Sequence, residues 1–229
     1  MSGELVLYTI PGSHACRATT LMLEHKGIPW RERVLWPGVQ TATMRLRGFP
    51  ERTVPAIRAD GERVQTNREI ARFLDRLQPE PALVGAGAEQ RVADAEAFVD
   101  GILQPLSRRL VLAAGRRDLD LVANRGGAGR LGALLAPRRY RRRIAIAGAY
   151  RYFGIHRRVE TLDLAALPSV LDYADSLVMA GVLNGAELNA ADFQAAPCLA
   201  LLDYRLDVRD LVRSRPSWAL VERLLPDPG

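Results

Sequence analysis

Between residues 5 and 35 the chain sets down an apolar run, an amphipathic stretch and an alternating run, and that order leaves few folds open. Residues 5–9 (LVLYT) read as a strand, closed at once by Pro11 and Gly12. A helix is expected over residues 14–26, where Cys16, Ala18, Leu21 and Met22 can share one face, and Gly27 stops it. Residues 30–35 alternate as a second strand. A strand, a helix and a strand within about thirty residues form a right-handed crossover unit with parallel strands.

The stretch that follows adds an antiparallel part. Residues 37–52 are less regular, with room for a short helix over 42–47. Residues 55–59 and 63–65 then read as short strands around Asp60-Gly61, a dipeptide that supplies the positive φ of a tight hairpin. From Asn67, the spacing of Ile70, Phe73, Leu74 and Leu77 predicts an amphipathic helix. Residues 78–87 (QPEPALVGAG) lack periodicity and are rich in proline, glycine and alanine, which marks a boundary. The expected organisation is a first domain over 1–78, a connection over 79–88 and an all-helical domain over 89–229.

In that second part Val92, Ala95, Val99, Ile102, Leu103, Leu106 and Leu110 form one apolar stripe, with Pro105 expected to kink its helix. Val170, Leu171, Ala174, Leu177 and Val178 form another, residues 193–212 a third, and Trp218, Val221, Leu224 and Leu225 a last short one. Residues 123–137, with NRGGAG, read as a loop. Residues 144–155 are apolar but too short to span a bilayer. They predict a buried helix with Arg151 reaching outward, or else a helix lying on a surface.

At 229 residues, 48% hydrophobic and 25% charged, the chain has the composition of an ordinary globular protein with room for two domains. The opening residues do not fit a secretory signal, so the expected location is the cytoplasm. Cys16 and Cys198 stand far apart, which predicts neither a disulfide framework nor a metal site. The net charge of +6 rests on arginine, Lys26 being the one lysine. Its densest source is Arg138, Arg139, Arg141, Arg142 and Arg143, which read as a solvated face, with contact to an anionic surface as the alternative. No nucleic-acid partner is expected.

Three short segments carry the chemistry. The first is IPGSHACR, residues 10–17, at the start of the first helix. Unpaired N–H groups and the positive end of the helix dipole favour an anion such as a thiolate there. Ser13 could donate its hydroxyl to that sulfur and lower its pKa, or simply cap the helix. Cys16, one turn on, is either a redox thiol or a buried inert one, and His14 is expected at an exposed loop tip. The second segment is RTVPAI, residues 52–57, where a cis Val54-Pro55 bond would offer the backbone of Val54 to an extended peptide. The third is QTNREIARFL, residues 65–74, where Thr66 and Asn67 either cap a helix or meet an amino-acid headgroup.

Together these pieces resemble the glutathione S-transferase superfamily. LYTIPGSHACRATTLMLEHKGIPW is similar to the family's opening strand, catalytic turn and first helix, TVPAI to its cis-proline segment, and QTNREIARFLD to the helix start that holds a peptide's amino end. LNGAELNAADF, residues 183–193, resembles a late helix start in which Asn189 caps and Asp192 returns a bond. The resemblance implies a thioredoxin-like domain followed by a helical-bundle domain, of the serine type, with a possible homodimer and a detoxifying role. It also implies that Ser13 activates glutathione or another small thiol as cosubstrate. Val54 would bind the peptide's central amide, Thr66 and Asn67 its γ-glutamyl end, and Arg52 its terminal carboxylate. Here Thr66 and Asn67 stand where the family places an acidic or amide residue and a serine. Leu103, Leu106, Tyr150 and Phe153 would line the pocket for a small-molecule electrophile between the domains. The rival expectations are a non-catalytic scaffold that keeps the fold, and a thiol-disulfide reductase using Cys16.

Overall fold

The computed structural model describes residues 4–10, 12–35, 39–117, 147–148 and 150–226. Strand β1 (Val6–Thr9) leads into helix α1 (His14–Lys26) and strand β2 (Arg31–Val34). Helix α2 (Gln40–Leu46), strands β3 (Ala56–Ala59) and β4 (Glu62–Gln65) and helix α3 (Asn67–Leu77) complete the first half. The sheet runs β2-β1-β3-β4, with β1 parallel to β2 and antiparallel to β3. Every residue of β1 is buried, as suits a central strand covered on both faces. Leu5, Leu7 and Ile57 face the main core with α1 and α3, whereas Val6, Tyr8 and Ala56 pack with Met44 and Phe49 on the α2 side. The β3–β4 turn takes positive φ at both Asp60 (45°) and Gly61 (87°), the geometry that matches the twist of a two-residue hairpin.

Helix α1 ends as its sequence requires. Gly27 adopts φ 63°, and the Ile28 N–H closes back on the Leu23 carbonyl at 3.1 Å, so the last carbonyls are satisfied. The connection over 78–88 is also held in place. Asp75 accepts the N–H groups of Leu83 and Val84, both at 2.9 Å, while the buried Lys26 ammonium joins Asp75 at 2.8 Å and the Pro81 carbonyl at 2.6 Å.

Among the described residues the helical half contains α4 (Glu89–Phe98), a π turn (Val99–Leu103), α5 (Gln104–Arg117), α6 (Arg157–Met179), α7 (Ala190–Leu202), α8 (Arg209–Arg213) and α9 (Trp218–Leu224). Among the described residues no helix is long and apolar enough to cross a membrane. Pro105 acts through the π turn rather than a sharp kink. It has no N–H for the Gly101 carbonyl and its ring would press on that group, and the wider turn just before it relieves both problems. The extra residue shifts the phase of the apolar stripe. Leu103 and Leu106 therefore enter the core, and Ile102, read as part of the stripe, is 49% exposed. With Leu103 and Leu106 packed inside, neither is placed to line an open pocket.

The stripe over 193–212 is two helices, not one. Helix α7 ends at Leu202, and the turn after it is fixed by buried ions. Asp203 takes two bonds from Arg213, at 2.7 and 3.0 Å, and the buried Arg205 reaches Glu160 at 2.8 Å and the Leu110 carbonyl at 3.1 Å. The apolar spacing of Leu206, Val208 and Val212 had hidden this break. At its other end α7 begins with a complete capping box, the Asn189 side chain accepting at the first turn and Asp192 accepting the Asn189 N–H at 2.8 Å. Nearly all of α7 is buried, and it packs on α1, α4, α5 and α9, so it is the helix on which the two halves meet.

One ion pair bridges the halves. Glu96 of α4 is 0% exposed; its Oε1 accepts from Arg72 of α3 at 2.7 Å and from Gln194 of α7 at 2.8 Å, and its Oε2 lies 2.6 Å from the same guanidinium as an ion pair. Arg72→Ala should strand that carboxylate and cost about 3 kcal/mol in denaturant unfolding. The double change Arg72→Met with Glu96→Met should cost much less, because no unpaired charge is left behind.

Candidate active site

Sheet register decides which loops meet. Tyr8 lies opposite Ala56, and Ala56 opposite Gln65, so the chain leaving β1, the chain entering β3 and the chain leaving β4 share one end of the sheet. Ile10 with Gly12 and Ser13, Val54-Pro55, and Thr66-Asn67 are those three segments. The fold thus gathers what the sequence spreads over more than fifty positions.

Ser13 caps α1. Its φ of −79° and ψ of 111° are extended, and its Oγ accepts the Cys16 N–H at 3.2 Å. Capping does not exhaust the hydroxyl, which keeps one proton to donate and is polarised by the bond it accepts. The side chain is half-buried, neither sealed in the core nor loose in solvent.

His14 does not stand exposed at a loop tip. As the first residue of α1 it is 9% exposed, and its Nε2 is paired with nothing among the described residues. Burial, helped by the charge of Arg108, pulls its pKa down to about 3, so it stays neutral across the physiological range. Cys16 is 4% exposed, and burial raises its pKa to about 11, against the smaller opposing pull of the Ser13 hydrogen bond. Cys198, also buried, is pushed up in the same way. Neither cysteine has the low pKa of a thiolate nucleophile.

The Val54-Pro55 bond is cis. Among the described residues neither the N–H nor the C=O of Val54 is taken up by another part of the chain. The segment before it is held by Gln65, a residue the sequence did not single out. Its amide accepts the Glu51 N–H at 2.7 Å and donates to the Glu51 and Thr53 carbonyls at 3.0 and 2.9 Å. Its one sequence signal is a polar side chain at an inward-facing strand position, which is meaningful only once the neighbouring loop is known. Arg52 is exposed on this segment.

Thr66 caps α3, accepting the Glu69 N–H at 3.3 Å, with φ 66° and ψ 145°. That region is nearly closed to residues with a side chain, above all β-branched ones, and costs on the order of 1–3 kcal/mol. Such strain concentrates where a backbone is held for a ligand. Asn67 is buried, and its Oδ1 accepts from Thr19 Oγ1 at 2.6 Å, tying α3 to α1. Its oxygen therefore serves the fold, and only the amide nitrogen is left for a ligand.

Within the helical half, Arg108 of α5 lies 4.5 Å over the Phe153 ring and Arg116 lies 4.4 Å over that of Tyr150. The arginines at 138–143 lie outside the described residues, as does the loop read over 123–137. What these elements offer is a helix start that favours an anion, one hydroxyl beside it, and a peptide group left open to receive an extended ligand.

Residues 7–82 match the family model of the glutathione S-transferase N-terminal domain. Among solved structures the chain is similar to the glutathione transferase GSTFuA2 from Phanerochaete chrysosporium, with 18% identity over 97% of this chain and 99% of that one and a TM-score of 0.68. It is similar to a glutathione S-transferase from Rhodospirillum rubrum, with 24% identity over 93% and 90% of the two chains and a TM-score of 0.58. A glutathione S-transferase of Ceriporiopsis subvermispora, solved in complex with glutathione, shares 19% identity over 98% and 97% of the chains with a TM-score of 0.61. A search of curated proteins found no match. At these identities the structural likeness speaks for the fold, which extends along nearly the whole chain. Residues 7–82 thus match the N-terminal domain of the glutathione S-transferases, and nearly the whole chain shares the fold of the solved glutathione transferases.

Proposed function

We propose that the protein is a transferase that binds glutathione or another small thiol against the start of α1 and joins its sulfur to an electrophile held between the two halves. Ser13 carries this reading: its oxygen is held by the Cys16 N–H, its hydroxyl has a proton that it can turn toward a bound sulfur, and it sits where the helix dipole favours an anion. The thiol proton leaves to solvent as the sulfur becomes anionic. The sulfur's electron pair then forms the carbon–sulfur bond, and a leaving group departs with the pair of the bond it breaks, or the adjacent carbon takes up a proton where none departs. Ser13 only donates a hydrogen bond, and the gain comes from stabilising the thiolate before attack.

The rest of the peptide would follow the sheet edge. Val54 receives its central amide, Arg52 its terminal carboxylate, and Thr66 with the Asn67 amide nitrogen its γ-glutamyl end. His14, buried and neutral, serves no base role. Unpaired, buried cysteines suit a reducing cytoplasm, where we place the protein, as a homodimer of the kind its family forms.

Conjugation assayed with a panel of small thiols and a chlorinated dinitroarene tests this reading. Ser13→Ala should lower kcat/KM by about a hundredfold near neutral pH and move the pH profile upward, whereas Ser13→Thr should recover much of the rate. Loss of the cap alone costs about 1 kcal/mol of stability, too little to explain such a fall by unfolding. Full activity in Ser13→Ala refutes the assigned role. Native Cys16 should react with iodoacetamide far more slowly than a free thiol at pH 8, because little of it is ionised with its pKa near 11. Rapid alkylation of the folded protein would instead revive a reductase.

A further inference from the structure

Sheet register sets two arginines side by side on the α2 face. Arg58 of β3 stands opposite Arg63 of β4 and opposite Val6 of β1. Partners in register point to one face, and here it is the face on which Val6 packs with Tyr8, Met44 and Phe49. The Asp60-Gly61 turn is two residues long, so Arg58 and Arg63 form the first pair beyond the one that closes it. Such a pair exchanges no backbone hydrogen bonds, and its Cα atoms stand only about 4.5 Å apart.

Like charges set opposite one another weaken a hairpin unless something negative lies between them. The chain supplies no such group. Arg58 is exposed, and among the described residues its guanidinium is bonded to no carboxylate. Arg63 gives its Nε to the Arg47 carbonyl at 2.8 Å and lies against Gly48, so it is aimed, while its Nη groups have no partner among the described residues. Arg47 is itself anchored, donating to the buried Tyr8 hydroxyl at 3.2 Å.

The two arginines border a cavity of about 290 Å³, completed by Glu4, Val6, Asp60 and Gly61. It lies where β1 begins, at the opposite end of the sheet from Ser13, Val54 and Thr66. Glu4 is already engaged by Arg31 at 3.5 Å, whereas the Asp60 carboxylate meets no cation among the described residues. A simple anion would face that carboxylate, and a simple cation would face two guanidiniums. A small molecule carrying both charges meets a partner for each. Two guanidinium forks suit a phosphate monoester, which bears nearly two charges near neutral pH.

We propose that Arg58 and Arg63 bind the phosphate of a small phosphorylated amine whose ammonium group faces Asp60, at a site separate from that of the thiol. The site stands whether or not the chain transfers thiols. Titration calorimetry on the full chain at pH 7.5 and low salt would use O-phosphoethanolamine as the probe. The wild type should bind it about tenfold or more tightly than inorganic phosphate, the worth of one charge-assisted contact. Glycerophosphoethanolamine, a diester with one charge and the group that a lipid headgroup would present, should bind more weakly by a similar factor.

Arg58→Gln should lower the affinity for O-phosphoethanolamine about tenfold or more, and without ligand it should melt no lower than the wild type, because it relieves a repulsion. Asp60→Asn keeps a turn-forming pair with Gly61 and should bring that affinity down to the level of inorganic phosphate. Arg91→Gln, which alters an exposed arginine on α4, should change nothing, and neither should saturating glutathione. The proposal is overturned by the absence of binding at millimolar probe, by affinity that survives in Arg58→Gln, or by equal affinity for O-phosphoethanolamine and either inorganic phosphate or the diester. Competition with glutathione also overturns it, since that would put the probe at the start of α1.

Discussion

Helix α1 is enclosed on nearly every side, by the sheet beneath it, α3 beside it and α7 of the helical half above. A helix held like this cannot slide or tilt without disturbing both cores, so the place of its first turn is set by packing and not by the loop before it. The hydroxyl of Ser13 inherits that rigidity, and the Lys26 ammonium at the far end fixes the start of the connection to the second half. One helix therefore positions the chemistry at its amino end and the domain junction at its carboxyl end.

The polar contacts that lock this arrangement are mostly buried and multiply bonded. Glu96, Asp203 and Arg205 are closed off from water, yet each has two or more partners, those of Glu96 and two of those of Arg205 coming from distant parts of the chain. Such groups add little net stability over well-packed apolar side chains, but any arrangement that separates the partners is heavily penalised. Their effect is to select one packing of the helical half from the many that an alanine- and leucine-rich set of helices would tolerate.

Local signals were legible before any coordinates. The crossover unit, the Asp60-Gly61 hairpin, the stop at Gly27 and the Asn189–Asp192 capping box each depend on residues within a few positions of one another. What escaped the sequence depends on contacts across the fold. The break between α7 and α8 follows from Asp203 meeting Arg213 and Arg205 meeting Glu160, while the apolar spacing runs on undisturbed. The burial of His14 appears only once α1 is packed into the fold, and the bonds of Gln65 require the 51–53 loop to fold back onto β4. Periodicity finds helices and strands, but not which polar side chain another segment will cover.

The π turn ahead of Pro105 acts like a vernier on the helix that continues beyond it. One surplus residue advances everything downstream by about a hundred degrees around the axis, since an α-helix makes a turn in roughly 3.6 residues. The heading of Arg108 is thus dialled five positions away, by the widened segment Val99–Leu103. Evolution could turn that side chain away from Phe153 and Gln104 by a single deletion there while leaving every residue around it as it is.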